Sequence, residues 1–372
     1  MQPSLFRDPT TLVFVAAPTL AILISLNAAR LAELLGVMDH PDAERKRHAK
    51  ATPLIGGIAI LVPLFLWCAA APILGHGVDR QLVLCILLCG AGATLVGFAD
   101  DQTPMSPLSR LLFLFLLSSI ALVFNPDLLP TQISWGQVYI VHLAPWFAFA
   151  FVVVALSGFV NAVNMADGQD GIAIGMFVIW ALCLTIHASG SAQGVSLILL
   201  ETALIAFAFN LKGRAFLGDS GSYGVSFVIG ILAIQAHNYG GVKAEVITVW
   251  FFVPIVDCLR LMTMRLVSGQ APFGSGRDHF HHRLEARVGK TFGLALYLGA
   301  IGVASIAATL YPWLSTFAMI ALGAFYVTFM RLGQDRAAEI LKFLGAKSGV
   351  NNSLTANENI SPLVVKGTAS ER

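Results

Sequence analysis

Eleven long apolar segments, separated by short polar ones, constrain the fold more than any other feature of this 372-residue chain. A helix that crosses a bilayer needs roughly 20 mostly apolar residues, and each segment approaches or exceeds that length. The segments lie near residues 11–30, 55–74, 81–98, 108–124, 141–160, 172–188, 195–211, 222–238, 244–264, 293–310 and 313–331. We therefore predict an all-α fold, a polytopic membrane helix bundle with about eleven transmembrane helices.

The composition indicates that lipid is the main solvent of this chain. Residues of the set Ala, Val, Ile, Leu, Met, Phe, Trp, Tyr and Cys make up 56% of it, and Asp, Glu, Lys and Arg only 12%. Ordinary soluble domains carry about 25% charged residues, so this chain cannot cover a globule with polar surface. A secreted disulfide scaffold, a disordered chain and a basic nucleic-acid-binding domain are excluded, and we expect no nucleic-acid partner.

The basic residues predict the orientation, because cytoplasmic segments of membrane proteins carry an excess of Lys and Arg. If the N-terminus lies outside, the outer segments hold only Arg7, Arg80 and Lys243. The other 20 of the 23 basic residues then lie on the inner side, with 16 of the 21 acidic residues. We therefore predict a periplasmic N-terminus and a cytoplasmic C-terminus.

The chain divides into two regions. We predict that residues 1–331 form an integral membrane domain whose cytoplasmic loops carry the chemistry. Residues 332–372 form a cytoplasmic tail, in which residues 334–346 fit a short amphipathic helix on the membrane surface. From Lys347 onward the tail is polar and rich in Asn and Ser, a composition typical of disorder.

Polar residues suited to chemistry collect in five inner loops. The loops carry, in order, Lys46 and His48; Asp100 and Asp101; Asn161, Asn164, Asp167 and Asp170; Asn210, Phe216 and Asp219; and Arg277, His279, His281 and His282. No outer loop contains a comparable set. Because all five loops lie on one side of the predicted membrane, we expect a single site that faces the cytoplasm.

The residue types favour anionic substrates and a cation. The adjacent carboxylates of Asp100 and Asp101 repel each other and favour a bound cation, although two solvated loop acids give the same pattern. The third loop reads NxxNxxDGxDG and offers amide and carboxylate oxygens; an ordinary Asn/Asp/Gly turn explains its composition but not their density. Residues 218–222 (GDSGS) begin a span, where free backbone N–H groups favour phosphate. The serines there also suit a helix cap.

The histidines and the basic run have competing interpretations. The DHFHHRL segment lacks a recognisable fourth ligand for zinc, and the neighbouring arginines favour contact with phosphate. The run Arg45–His48 fits anchoring at the inner membrane surface or contact with a lipid phosphate or nucleotide. Asp257 and Arg260 are three residues apart on one helix, so we expect them to pair.

Five segments in order resemble a known family. RKRHAKATPLIGG, GFADD, NAVNMADGQDGIA, FLGDSGS and GRDHFHHRL resemble motifs of the polyprenyl-phosphate N-acetylhexosamine-1-phosphate transferases (glycosyltransferase family 4), across most of residues 36–290. The RKRH and DHFHH forms are most similar to the bacterial undecaprenyl-phosphate alpha-N-acetylglucosaminyl 1-phosphate transferases. The peptidoglycan branch has a different histidine segment.

The resemblance implies a reaction and a location. UDP-GlcNAc and undecaprenyl phosphate would give UMP and undecaprenyl-diphospho-GlcNAc, the first membrane step of O-antigen (lipopolysaccharide) or related cell-envelope glycan synthesis. The enzyme would lie in the bacterial inner membrane, with Mg²⁺ as cofactor and Mn²⁺ as the alternative ion. A homodimer is compatible with this resemblance. The apolar walls beside the inner loops would hold the prenyl chain.

The resemblance also implies roles for individual residues. Asp219 is the implied metal ligand, and Asp100 and Asp101 are catalytic, with Asp100 either the base for the lipid phosphate or a positioning group. The residues implied to bind the uridine end are Asn161, Asn164, Asp167, Asp170 and Asn210, with Phe216 stacked on uracil. Lys46 and His48 are also implied to bind substrate. Arg277 and the catalytic His279, His281 and His282 are implied to hold the diphosphate or sugar.

Two alternatives stay open from the sequence. The donor can be another UDP-N-acetylhexosamine, since other such sugars use the same scaffold. A nucleotide-sugar or lipid transporter belongs to a different class, and transporters place substrate groups near the bilayer midplane. Here the acids and histidines lie at the predicted inner edge, which favours an enzyme.

Overall fold

The computed structural model describes residues 9–40, 51–74, 78–136, 139–272 and 278–331. Within these ranges the chain forms fourteen α-helices and two short antiparallel strand pairs, so the predicted all-α class is confirmed. Lys46, His48 and Arg277, like the tail from 332 to 372, lie outside the described residues. The roles predicted for them, and the division at residue 331, stay predictions.

Each predicted apolar segment coincides with one helix or with two consecutive helices. The helices are α1 (Pro9–Leu26), α2 (Ala28–Leu35), α3 (Gly56–Leu74), α4 (Arg80–Cys85), α5 (Ala91–Gln102), α6 (Pro107–Phe124), α7 (Pro145–Ala166), α8 (Ile172–His187), α9 (Gly190–Asn210), α10 (Gly218–Asn238), α11 (Ala244–Val267), α12 (Phe280–Val288), α13 (Lys290–Leu310) and α14 (Ser315–Arg331). A π-helical turn at Ile86–Gly90 joins α4 to α5, so these two form one span. The short polar helix α12 was not predicted.

The number of membrane crossings can be compared with the prediction of about eleven. Among the described residues, eight helices are long and apolar enough to cross a membrane, or nine if α1 and α2, bent by 73°, count as one broken span. The other two predicted spans correspond to α8, which has 16 residues, and α10. The protein is therefore a multi-pass membrane protein, whereas the count of eleven and the orientation of the termini stay predictions.

Helix α10 lies at the centre of the bundle. It packs against α3, α5, α7 and α8, and 16 of its 21 residues are buried. Its first two turns read GDSGSYG, a sequence too polar to face hydrocarbon at low cost. Because neighbouring helices surround α10, its serines and its aspartate contact protein.

Close glycine contacts bring the start of α10 against α3 and α5. A Cβ atom added to Gly57 would lie 2.1 Å from the Cα of Gly221, and one added to Gly97 would lie 2.2 Å from the carbonyl oxygen of Asp219. The Gly57 N–H also donates to the Leu217 carbonyl at 2.9 Å. Only glycine permits backbones to approach this closely, so these positions place the FLGDSGS segment beside the end of α5.

The two strand pairs lie at different ends of the bundle. In the first, β1 (Met38–Asp39) pairs with β2 (Thr52–Pro53), beside the start of α3. In the second, β3 (Gln132–Trp135) pairs with β4 (Tyr139–His142), at the end where α11 begins. The sequence predicted a span from residue 141, but the aromatic and β-branched run YIVH extends as a strand. Helix α7 starts only at Pro145, a residue favoured in the first turn.

Candidate active site

Acidic residues from three loops converge at one end of the bundle, which we call the acidic end. There α5 and α7 end and α10 begins, which brings Asp101, Asp167 and Asp219 together. Burial and, after it, the charges of Asp219, Asp101 and Asp170 raise the pKa of Asp167 to about 8. A concentration of negative charge of this kind favours a bound cation.

The Asp101 carboxylate holds the first turn of α10. Its Oδ1 accepts the backbone N–H of Asp219 at 2.7 Å, and its Oδ2 accepts that of Ser220 at 2.9 Å. These N–H groups have no partner inside the helix, and a negative charge is favoured at a helix N-terminus. Asp101 therefore fixes the backbone of Asp219, and its predicted catalytic role stays a prediction.

The neighbouring Asp100 is enclosed by its own loop. Its Oδ1 accepts the Met105 N–H at 2.7 Å, and its Oδ2 lies 2.9 Å from Nε of Arg110. The Asp100 side chain is only 1% exposed, so a substrate could reach it only if these contacts opened. The structure gives Asp100 a role in holding the loop between α5 and α6; its catalytic role stays a prediction.

Asn164 orients the side chain of Asp219. Its Nδ2 donates to Asp219 Oδ1 at 2.6 Å and to Ser222 Oγ at 2.9 Å, which ties the end of α7 to α10. Asn161, one turn earlier, instead donates to the carbonyl of Ser157 in its own helix at 2.9 Å. Of the two predicted amides, Asn164 is therefore the one bonded to the acidic cluster.

The donor set can be compared with the needs of a metal ion. The described residues contain no group of three or more His, Cys, Asp or Glu arranged to hold a metal. Mg²⁺ usually keeps several waters and binds through one or two carboxylates plus substrate phosphates, whereas a structural zinc site takes four protein ligands. The half-buried carboxylates of Asp219 and Asp167 fit the pattern of Mg²⁺.

The histidine segment packs over the loop that follows α7. A Cβ atom added to Gly168 would lie 2.5 Å from Nε2 of His281 and 3.2 Å from Nε2 of His282. The rings of His279 and His281 stack with centroids 5.4 Å apart. Burial and, after it, the charges of the neighbouring histidines lower the pKa of His281 well below its ordinary value. The structure thus brings the third and fifth loops together, as the sequence predicted.

Three further predicted residues hold the loops in place. Lys290 Nζ lies 2.7 Å from Asp170 Oδ2. The buried Asn210 accepts the Gly171 N–H at 2.6 Å and donates to the Ala215 carbonyl at 2.9 Å. Phe216 is half-buried, and its N–H donates to the Pro53 carbonyl at 2.8 Å. Contacts of these residues with a nucleotide stay predictions.

Sequence reasoning missed the basic partners of the acidic residues. Arg110 and Lys290 are basic residues at helix starts, but nothing in the sequence says which acid each one contacts. The predicted pair of Asp257 and Arg260 is confirmed at 2.9 Å.

A cavity of about 520 Å³ lies at the opposite end, beside Tyr239 and Lys243, and is lined by none of the predicted site residues.

The comparison with known families agrees with this geometry. A sequence model described as "Glycosyl transferase family 4" matches residues 83–237. This stretch runs from α4 to the end of α10 and contains all the carboxylates of the acidic end. Residues 83–237 are therefore similar to glycosyl transferase family 4. The match agrees with the family predicted from the motifs, and the protein is a membrane enzyme.

Relatives match this chain over most of their length. The probable undecaprenyl-phosphate N-acetylglucosaminyl 1-phosphate transferase of Bacillus subtilis is 27% identical over 328 residues, covering 83% of the chain and 88% of the relative. The undecaprenyl-phosphate alpha-N-acetylglucosaminyl 1-phosphate transferase of Yersinia pestis is 28% identical over 324 residues, 82% and 84% of the two chains. The protein of that name from Escherichia coli O157:H7 is 27% identical over 362 residues, 91% and 94%.

Proposed function

We propose that this protein transfers GlcNAc-1-phosphate from UDP-GlcNAc to undecaprenyl phosphate, releasing UMP and forming undecaprenyl-diphospho-GlcNAc. The convergence of Asp101, Asp167 and Asp219 beside the histidine segment carries the proposal. Two anionic phosphates can approach each other only where a cation and donor groups offset their repulsion. The three relatives described above, which are named for this activity, align with 82% or more of the chain.

The reaction needs charge compensation and alignment more than a strong base. An oxygen of the lipid phosphate attacks the β-phosphorus of UDP-GlcNAc, and the bond from that phosphorus to the bridging oxygen breaks, so that UMP leaves with the electron pair. The second pKa of a phosphomonoester is about 6, so the attacking group is already mostly dianionic at neutral pH. The contacts of Asp100 with Arg110 and Met105 therefore favour a positioning role for Asp100.

A magnesium ion, with manganese as the alternative, is part of the proposal. When bound, it would neutralise charge on the diphosphate. Asp219 would hold it, Asn164 would keep the Asp219 carboxylate in place, and the half-buried Asp167 would add negative charge once it has lost its proton. His279, His281 and His282 would contact the diphosphate or sugar together with Arg277, and Phe216 would stack on uracil.

The acceptor and the location complete the proposal. Leu95 in α5 and Leu108 and Leu112 in α6 are exposed apolar residues near the acidic end, and a prenyl chain would pack along such a surface. The site would face the cytoplasm across the bacterial inner membrane, and the product would start an O-antigen or related cell-envelope glycan. The homodimer stays a prediction.

A donor panel tests the substrate assignment. The purified protein in lipid nanodiscs is given undecaprenyl phosphate, Mg²⁺ and, separately, several UDP-sugars, and lipid products and UMP are measured by mass spectrometry. We expect UDP-GlcNAc to give undecaprenyl-diphospho-GlcNAc and UMP in equal amounts. Preference for another UDP-N-acetylhexosamine would overturn the donor assignment. Absence of any lipid product would overturn the reaction and favour a transporter.

A further inference from the structure

The buried carboxylate of Asp257 accepts hydrogen bonds from four residues, and we call this group the hub. The sequence predicted only its pairing with Arg260. Its Oδ2 accepts hydrogen bonds from Nδ1 of His279 and the backbone N–H of Phe280, both at 3.1 Å. Its Oδ1 accepts from the Tyr326 hydroxyl at 2.7 Å and from Nη2 of Arg260 at 2.9 Å. The side chain of Asp257 is 6% exposed, so its carboxylate is largely out of contact with solvent.

This hub joins three helices at the base of the histidine segment. Asp257 and Arg260 belong to α11, Phe280 begins α12, and Tyr326 lies in α14. Arg260 also donates to the Tyr326 hydroxyl at 2.7 Å and to the backbone carbonyl of Asp278. The start of α12 is therefore attached to two membrane helices through one carboxylate and one guanidinium.

The hub also determines how the His279 ring is presented. A carboxylate paired with an arginine is ionised and can only accept hydrogen bonds, so Nδ1 of His279 must carry the proton. Nε2 is then the ring nitrogen of His279 that does not contact Asp257. It accepts a hydrogen bond in the neutral ring and donates one when the ring carries a second proton. Carboxylates orient reactive histidines in this way in other sites.

We propose that Asp257 is a positioning residue for the transfer reaction and acts through His279. It fixes the tautomer and the ring plane of His279, so that Nε2 faces the donor diphosphate. The His279 ring stacks on His281 at 16° between planes, and His281 packs on Gly168, so the same contact also supports the loop that carries Asp167. This inference rests on the proposed function for the identity of the substrate.

A double-mutant cycle tests whether Asp257 acts through His279. The His279→Asn variant keeps an amide donor near Asp257 but lacks Nε2. We expect Asp257→Asn to lower kcat about 10- to 100-fold with KM for the donor nearly unchanged. In the His279→Asn background the same change should lower kcat by less than about 3-fold, because the two groups form one unit.

The matched control is Asp278→Asn, which makes the same change next to His279. The Asp278 side chain is 66% exposed and pairs with Arg283, so we expect kcat close to that of the unchanged protein. A wild-type kcat for Asp257→Asn would overturn the proposal. So would equal effects of Asp257→Asn in the two backgrounds, since these would indicate a role independent of His279.

A measurement without substrate separates this inference from the proposed function. In protein labelled with ¹⁵N-histidine, the His279 resonances are assigned by their loss in the His279→Asn variant. We expect His279 Nδ1 to be protonated in the labelled protein that carries no substitution. A ring protonated only on Nε2 would overturn the role of Asp257 even in an active enzyme. A protonated Nδ1 in a protein that makes no lipid product would support the contact while the proposed function fails.

Discussion

The carboxylate of Asp101 accepts the backbone N–H of Asp219 at 2.7 Å, across 118 residues of sequence. It accepts the adjacent Ser220 N–H as well, so the end of α5 and the start of α10 form one unit. The proposed metal ligand therefore stands on a helix turn that a second acidic motif holds in place. Structure and chemistry at the acidic end depend on the same carboxylates.

Asp101→Asn should destabilise the protein as well as slow the reaction. One of the two oxygens that accept backbone N–H groups becomes an NH₂ group, which leaves a buried donor without an acceptor. The expected loss is about 1–3 kcal/mol in the free energy of unfolding, measured by thermal or denaturant unfolding in detergent. Asp278→Asn, at an exposed side chain, is the control. Equal stability of the two variants would refute the capping role.

Asp219→Asn should abolish Mg²⁺-dependent release of UMP. The amide oxygen of the new residue can still accept from Asn164, so we expect the fold to survive while the charge that binds the cation is lost. UMP release is measured against Mg²⁺ concentration, with thermal unfolding as the check of folding. Full activity in the folded variant would exclude Asp219 as the metal ligand.

Gly97→Ala should disrupt the acidic end. The added Cβ would lie 2.2 Å from the Asp219 carbonyl oxygen, so α5 and α10 must separate, at a cost of about 1–3 kcal/mol or more. Gly158→Ala is the matched control, because a Cβ at this position in α7 has no neighbour within 4 Å. We expect a lower melting temperature and lost transfer only for Gly97→Ala. Unchanged melting of that variant would contradict the close helix contact.

The stability of the metal-free protein should depend on pH through Asp167. Its pKa of about 8 lies above the ordinary 3.8 of an aspartate, so over that interval the folded protein binds a proton that the unfolded chain has lost. Stability therefore falls as the pH rises from about 4 to about 8. Unfolding measured between pH ~6 and ~9 should show a weaker decline for Asp167→Asn. An identical decline in both proteins would contradict the raised pKa of Asp167.

The fold could be predicted largely because apolar length and lipid thickness determine it. Every predicted apolar segment is mainly helical. This includes α10, whose polar start is tolerated because protein surrounds the helix. The short helix α12 was missed because its sequence FHHRLEARV is polar and only nine residues long. The strand β4 was missed because its apolar residues, apart from His142, run on toward α7 and look like the start of one long span.

The candidate site could be predicted as a set of residues but not as a set of contacts. Predicted topology placed Asp101, Asp167 and Asp219 on one side of the membrane, which was enough to expect a shared site. The predicted topology could not show that Asp101 caps α10, or that both polar atoms of the Asn210 amide are hydrogen-bonded to backbone groups. The pair of Asp257 and Arg260 followed from helical spacing. Its link to Tyr326, 69 residues away, depends on tertiary packing.

The most direct test of the account follows the β-phosphorus of the donor. UDP-GlcNAc labelled with ³²P in its β-phosphate is incubated with the protein, undecaprenyl phosphate and Mg²⁺, and lipid and nucleotide fractions are separated. We expect the label to move to the lipid while unlabelled UMP accumulates in equal amount. Label that stays with the nucleotide as UDP while GlcNAc reaches the lipid would contradict it, because the sugar alone would then have been transferred.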